Sequence, residues 1–284
     1  MRILPLSLRA LLLGVLTLIQ PVVHAETLYF APLPMEQPEE VVKNFKPMLN
    51  YLEKKLGVDI EIKYSTSYAE ILEQFRLGQI DIAYLGPLPY VTLRDGYPQA
   101  RPVVHFLEKS GQATYTCALI SAGGALPRNM SNQRIALTQP LSTCGYLSTD
   151  NLIHKAGSEM KNNRYRYLDK HDEVALAVAR GDFDFGGLKT TIAKKYAHLG
   201  IKVLSETAPL PSFALIANTR RMSPDTINAL REALISLDPA GKDQALMSDW
   251  GSNLRYGSVK ANNEDFNVVR QLRRSAQIPE KGNY

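Results

Sequence analysis

No familiar catalytic signature occurs in this chain of 284 residues. It has no Gly-x-Ser-x-Gly elbow, no phosphate-binding P-loop and no His-Glu-x-x-His pair, so the commonest hydrolase, NTPase and metalloprotease sites are excluded. His105, His154, His171 and His198 show no metal-ligand spacing, so neither a metal nor a cofactor is expected. A Cys144–His171 nucleophile pair would lack a third group to orient it. The chain therefore reads as a binding protein, not an enzyme.

Long apolar runs are also scarce. The one notable run, Leu11 to Ile19, is too short to span a bilayer. It follows Arg2 and Arg9 and precedes the small residue of Val23-His24-Ala25, the pattern of a secretory leader cleaved near Ala25. Residues 1–25 are thus expected to be removed and the remainder to work as a soluble periplasmic protein. Cleavage discards two basic residues and no acidic one, leaving 31 basic against 28 acidic side chains. So small an excess argues against a nucleic-acid partner and against a polybasic membrane patch. Cysteine is equally sparse: Cys117 and Cys144 are the two in the chain. In an oxidising compartment they are either a disulfide or a functional thiol pair.

What is present is a repeat. Ser67-Tyr68-Ala69-Glu70 opens a short amphipathic stretch that ends at Gly78 and leads into the strand-like Ile80 to Leu85. Lys170-His171-Asp172-Glu173 opens a degenerate copy that passes Gly181 and enters Phe183-Asp184-Phe185-Gly186-Gly187. Two similar α/β units imply two lobes with a cleft between them, a usual place for a small ligand.

The rest of the chain fits that plan. Thr27–Phe30 and Ile60–Tyr64 read as strands, and Pro38 to Leu56 keeps helical apolar spacing until Gly57. Ser67 and Glu70 form a capping-box pattern. Strands alternating with helices indicate parallel βαβ units, whose ligands lie at the carboxyl ends of the strands. On that rule Ala31–Met35, Ser65–Tyr68 and Gly86–Tyr90 face the ligand. In the second lobe, a helix is expected from about Thr143 to Lys155. Thr114–Ile120 and Ser212–Ala217 read as two extended crossings that form a hinge, giving lobes of 26–115 plus 217–284 and of 116–216.

Tyr68-Ala69-x-Ile71-Leu72, Arg76, Asp81-Ile82-Ala83 and Gly86 resemble the phosphate/phosphite/phosphonate-binding proteins of bacterial ABC importers. The resemblance continues through Tyr115, Ser142-Thr143-x-Gly145-Tyr146-Leu147 and His171-x-x-x-Ala175-Leu176-Ala177-Val178-Ala179. It implies an α/β, two-lobed type II periplasmic-binding-protein fold, with mainly parallel sheets and hinge crossings. It also implies a small anionic ligand, an ABC permease as partner and no enzymatic activity; a monomer is expected.

The same resemblance assigns oxygen-binding roles to Ser142 and Thr143 and contacts to Tyr68 and His171. The start of a helix at Ser142-Thr143-Cys144 would add backbone N–H groups and a positive dipole end for the anion. Where the family tends to have a second ligand-contacting Tyr, this chain has Leu85, with Tyr84 adjacent. Acidic residues that hold an amino group in some members are replaced around Thr190-Thr191 and Phe213, which disfavours an aminoalkyl phosphonate. Lys189 would suit an anion if it faces the cleft. Cys144 stands in place of a serine, and Cys117 lies on a crossing. Arsenite-sensing proteins of the same fold family bind through a cysteine, so an alternative is a sensor of arsenite or a sulfur oxyanion that signals to a membrane histidine kinase.

Overall fold

The structure is a computed structural model that describes residues 26–125, 127–274 and 276–284. The leader expected over residues 1–25 lies outside the described residues. Among those described, no helix is long and apolar enough to cross a membrane.

The first lobe begins with β1 (Thr27–Pro32), α1 (Pro38–Leu56), β2 (Asp59–Ile62), α2 (Tyr68–Arg76), β3 (Ile82–Leu85), α3 (Pro87–Gly96) and β4 (Ala100–Phe106). Helix α1 starts on Pro38, where the missing N–H costs nothing, and stops at Gly57, whose φ of 67° suits glycine. Crossing strands β5 (Thr114–Tyr115) and β6 (Cys117–Ser121) lead into β7 (Arg134–Leu137), α4 (Tyr146–Lys155), β8 (Arg164–Tyr167), α5 (His171–Ala179), β9 (Phe185–Lys189), α6 (Thr190–Lys195) and β10 (Lys202–Glu206). The chain returns through β11 (Leu210–Pro211) and β12 (Ala214–Asn218), and continues as α7 (Pro224–Ile235), α8 (Gln244–Met247), β13 (Ser258–Lys260) and α9 (Asn267–Arg274).

Two mixed sheets result. The first has the order β13-β4-β12-β3-β1-β2 and the second β10-β6-β9-β7-β8. Parallel pairing is confined to β2-β1-β3 and β8-β7-β9, the two βαβ cores. The crossings add antiparallel neighbours, because a strand that returns from the other lobe enters from the opposite end. They also pair with each other, Leu210 with Tyr115 and Pro211 with Thr114, and so form a two-stranded hinge.

Both faces of the second sheet are covered, which explains its nearly continuous apolar strands. On β6, Ala118 and Ile120 join a core with Val174 and Val178 of α5, while Leu119 joins the opposite core with Leu152 and Ile153 of α4. Gly187 of β9 is required by this packing: a Cβ there would collide with the Thr149 hydroxyl and the Cys144 carbonyl.

The repeat read from the sequence is structural. Asp81, just before β3, accepts the Tyr29 N–H at 2.8 Å, and Asp184, just before β9, accepts the Arg134 N–H at 2.8 Å. Each aspartate thereby clips the first strand of its own βαβ core to the third. The caps differ between the copies. Ser67 Oγ accepts the Glu70 N–H at 3.2 Å, whereas Lys170 provides no side-chain cap for α5.

Beyond α9 the chain crosses to the second lobe. Asn283 Oδ1 accepts the Tyr165 N–H at 2.7 Å, its own N–H donates to Tyr165 O at 3.1 Å, and its Nδ2 donates to Asn163 O at 2.8 Å. Tyr167 OH donates to Pro279 O at 2.7 Å, and Tyr284 stacks beneath the Arg166 guanidinium. Gly282 lies so close to β8 that a Cβ would come within 2.6 Å of Tyr165 O.

Candidate ligand-binding site

One buried hollow lies where the carboxyl ends of both parallel cores meet. Leu33, Tyr68, Gly86, Pro89 and Phe213 line it from the first lobe and its returning crossing. Ser142, Thr143, Cys144, His171 and Lys189 line it from the second, and Tyr115 comes from the hinge strand. The three segments expected at the strand ends each contribute. For the centre of a water-sized sphere the hollow offers about 10 Å³, close to what one water needs. A larger depression of about 390 Å³ near Arg94 and Asn262 is a more open feature of the surface and has no such convergence of buried groups.

The two lobes are joined across this hollow by side chains of the loop after β7. Gln139, 4% exposed, accepts the Tyr68 N–H at 2.8 Å and donates Nε2 to Thr66 O at 3.2 Å. Thr143 Oγ1 accepts the Leu88 N–H at 3.0 Å. Both N–H groups lie in the first turns of lobe-one helices, where orphan donors seek a partner. Gln139 was not singled out by the sequence; no local pattern marks a glutamine whose partners lie in another lobe.

Ser142, Thr143 and Cys144 do not start the helix expected from Thr143. They form a turn, closed by Gly145 N–H to Ser142 O at 3.0 Å, and α4 begins only at Tyr146. The cause is local: Gly145 has a non-helical ψ of −125° and lies against Gln139 O, 2.8 Å from where a Cβ would stand. Ser142 and Thr143 are therefore not plain helix caps, and the Thr143 hydroxyl is engaged across the cleft.

His171 is buried at the first position of α5. Its Nδ1 accepts the Lys189 backbone N–H at 3.1 Å, so the proton of the neutral ring sits on Nε2. Burial, reinforced by the Lys189 cation, depresses its pKa to about 3. His171 is thus an uncharged donor at neutral pH. Burial likewise pushes the Tyr68 and Tyr115 phenols upward, which keeps both protonated.

Lys189 ends β9, and its Nζ pairs with Glu108 Oε1 at 2.6 Å and Asn253 Oδ1 at 3.3 Å. Tyr84 is placed differently from the other candidates. It lies in the first-lobe core, stacked on Phe213 at 5.2 Å, and does not line the hollow. Its hydroxyl has no hydrogen-bond partner among the described residues. Cys117 and Cys144 form a disulfide with Cα atoms 5.1 Å apart, tying the crossing strand β6 to the Ser142 turn. Thiolate coordination by either cysteine is not available in this structure. Among the described residues there is no cluster of metal ligands.

Comparison with known proteins agrees with this architecture. A family model described as "ABC transporter, phosphonate, periplasmic substrate-binding protein" matches residues 30–266. The phosphonates-binding periplasmic protein of Escherichia coli is 24% identical over 255 residues, covering 83% of this chain and 74% of that protein. The phosphate-import protein PhnD of Mycolicibacterium smegmatis is 27% identical over 183 residues, covering 60% of this chain and 57% of that relative. Among solved structures, PhnD1 from Prochlorococcus marinus in complex with methylphosphonate superposes with a TM-score of 0.75 at 17% identity, over 88% of this chain and 98% of that one. With two-lobed fold, interlobe hollow and a family match over most of its length, the chain belongs to the periplasmic phosphonate substrate-binding proteins of ABC transporters.

Proposed function

We propose that this chain binds a small oxyanion of the phosphonate, phosphite or phosphate class in the periplasm and delivers it, as a monomer, to an ABC permease. The observation that carries the reading is the convergence of uncharged donors from both lobes on one hollow: Ser142, Thr143 and neutral His171 from one side, and the Tyr68 phenol from the other. Such donors stabilise an anion without a compensating buried carboxylate, and exclusion of water strengthens each bond. Lys189 and the Cys144 backbone complete the ligand wall in this proposal, and Tyr84 supports it from behind Phe213.

We take residues 26–115 with 217–284 and residues 116–216 as the two bodies that close on the ligand, with 276–284 reaching over to the second. The hinge pairing of Tyr115 with Leu210 supports this division. The leader over residues 1–25 would bring the chain to the periplasm. The competing reading, a sensor that binds arsenite or a sulfur oxyanion through cysteine and signals to a membrane histidine kinase, loses its chemical basis because both sulfurs are in a disulfide.

The test is a thermal-shift screen of the mature protein with phosphate, phosphite and alkylphosphonates. A ligand at about 100 times its Kd adds roughly 2.7 kcal/mol to the stability of the folded state. At least one member of the panel should raise the melting temperature, and Ser142→Ala and Tyr68→Ala should each reduce that rise. A flat screen, or two variants that bind as the parent does, would refute the assignment.

A further inference from the structure

The Lys189 ammonium occupies a seat of the kind that proteins build for a foreign cation. The side chain is 3% exposed, and Nζ lies 2.6 Å from a Glu108 carboxylate oxygen and 3.3 Å from Asn253 Oδ1. The Tyr115 and Phe213 ring centroids stand 5.4 and 5.3 Å from it. Carboxylate, amide oxygen and two aromatic faces together form a recognition set for a primary ammonium. Lys189, Tyr115 and Phe213 are also walls of the hollow, so the seat opens on the place where the oxyanion is proposed to lie. Among the described residues no carboxylate lines that hollow, and Glu108 stands behind Lys189, already paired.

We infer that this seat is an ammonium subsite of the cleft that the protein fills with its own lysine, so that the ligand beside it is an oxyanion whose remaining substituent carries no positive charge. The inference rests on the oxyanion reading above and narrows it. A ligand ammonium would meet the fixed Lys189 cation at short range in a medium of low polarity, where like charges repel strongly. Its natural counter-charge, Glu108, is taken. An uncharged substituent meets no such penalty against Leu33, Pro89 and Phe213. Lys189 is in this sense a specificity residue, and removal of its side chain exposes a ready-made site for an aminoalkyl ligand.

The decisive measurement uses two ligands of matched shape, propylphosphonate and 2-aminoethylphosphonate, titrated calorimetrically into the mature protein, Lys189→Ala and the double variant Lys189→Ala/Glu108→Gln. The parent should favour propylphosphonate by roughly 100-fold or more. Lys189→Ala should narrow or invert that ratio by at least about tenfold, and adding Glu108→Gln should restore it. Equal binding of both ligands by the parent, or an unchanged ratio in Lys189→Ala, overturns the inference and leaves the oxyanion reading standing.

If neither ligand binds the parent, the phosphate and phosphite arms of the thermal-shift screen decide the oxyanion reading, and the seat is read separately with propylammonium. The amine should raise the melting temperature of Lys189→Ala by several degrees while leaving the parent and the double variant unmoved; no selective rise overturns the inference. Should Lys189→Ala not fold, the parent's ratio decides the ligand class without it.

Discussion

Thr143 of the second lobe caps a helix of the first: its Oγ1 accepts the Leu88 N–H at 3.0 Å, where Gly86, the residue preceding α3, has no side chain to offer. This bond exists only while the lobes are together. Thr143→Val keeps the shape and deletes both this acceptor and a proposed ligand donor, at a net loss of at least about 1 kcal/mol from the liganded closed form. Ligand release, followed by stopped-flow fluorescence, should quicken by roughly fivefold with association little changed. Equal release rates would show that the bond does not hold the lobes.

Gln139 makes two such bonds, to the Tyr68 N–H and to Thr66 O. Gln139→Leu removes both, so release should accelerate by roughly tenfold or more, and small-angle scattering should show a more extended ligand-free molecule. A variant with the parent's release rate and scattering profile would contradict the interlobe role.

Acid should destabilise the protein through His171. In the unfolded chain it takes a proton near pH 6.5, but burial and the Lys189 cation hold the folded ring neutral down to about pH 3. The His171 contribution is therefore complete above pH 6.5 and is lost progressively as the pH falls from there towards 3. The His105 pKa is shifted in the same direction by burial and adds to the effect. Melting temperatures measured across this window should fall less steeply in His171→Gln than in the parent.

Reduction of the Cys117–Cys144 disulfide opens a loop with a sequence separation of 27. Chain entropy for such a loop amounts to about 3.5 kcal/mol, or roughly 7–14 °C in the melting temperature of a protein this size. Reduction by a phosphine should also weaken ligand binding, because the Ser142 turn loses its tie to β6. A reduced protein that melts and binds as the oxidised one does would refute this coupling.

Much of the fold was legible because it follows from local rules. Pro38 and Gly57 bound α1, Ser67 caps α2, and the two copies of helix, glycine, aspartate and strand do form matching βαβ cores, with Asp81 and Asp184 in equivalent bonds. The antiparallel additions were less visible, since strand direction in a crossing depends on which lobe it is leaving. At the site, the sequence pointed to the strand ends that now line the hollow. It misjudged the start of α4 by three residues, because Gly145 breaks the helix through contact with the Gln139 carbonyl. Gln139, Glu108 and Asn253 had no sequence signal: each matters through a partner more than 60 residues away.

The tail seated on β8 constrains how far the halves can part. Asn283 is anchored by three hydrogen bonds to Tyr165 and Asn163, while α9 packs on α3 of the opposite lobe. Any swing must keep that anchorage near its pivot or tear it loose. In the proposed closure those last residues tie the two bodies together, as the paired crossing strands do.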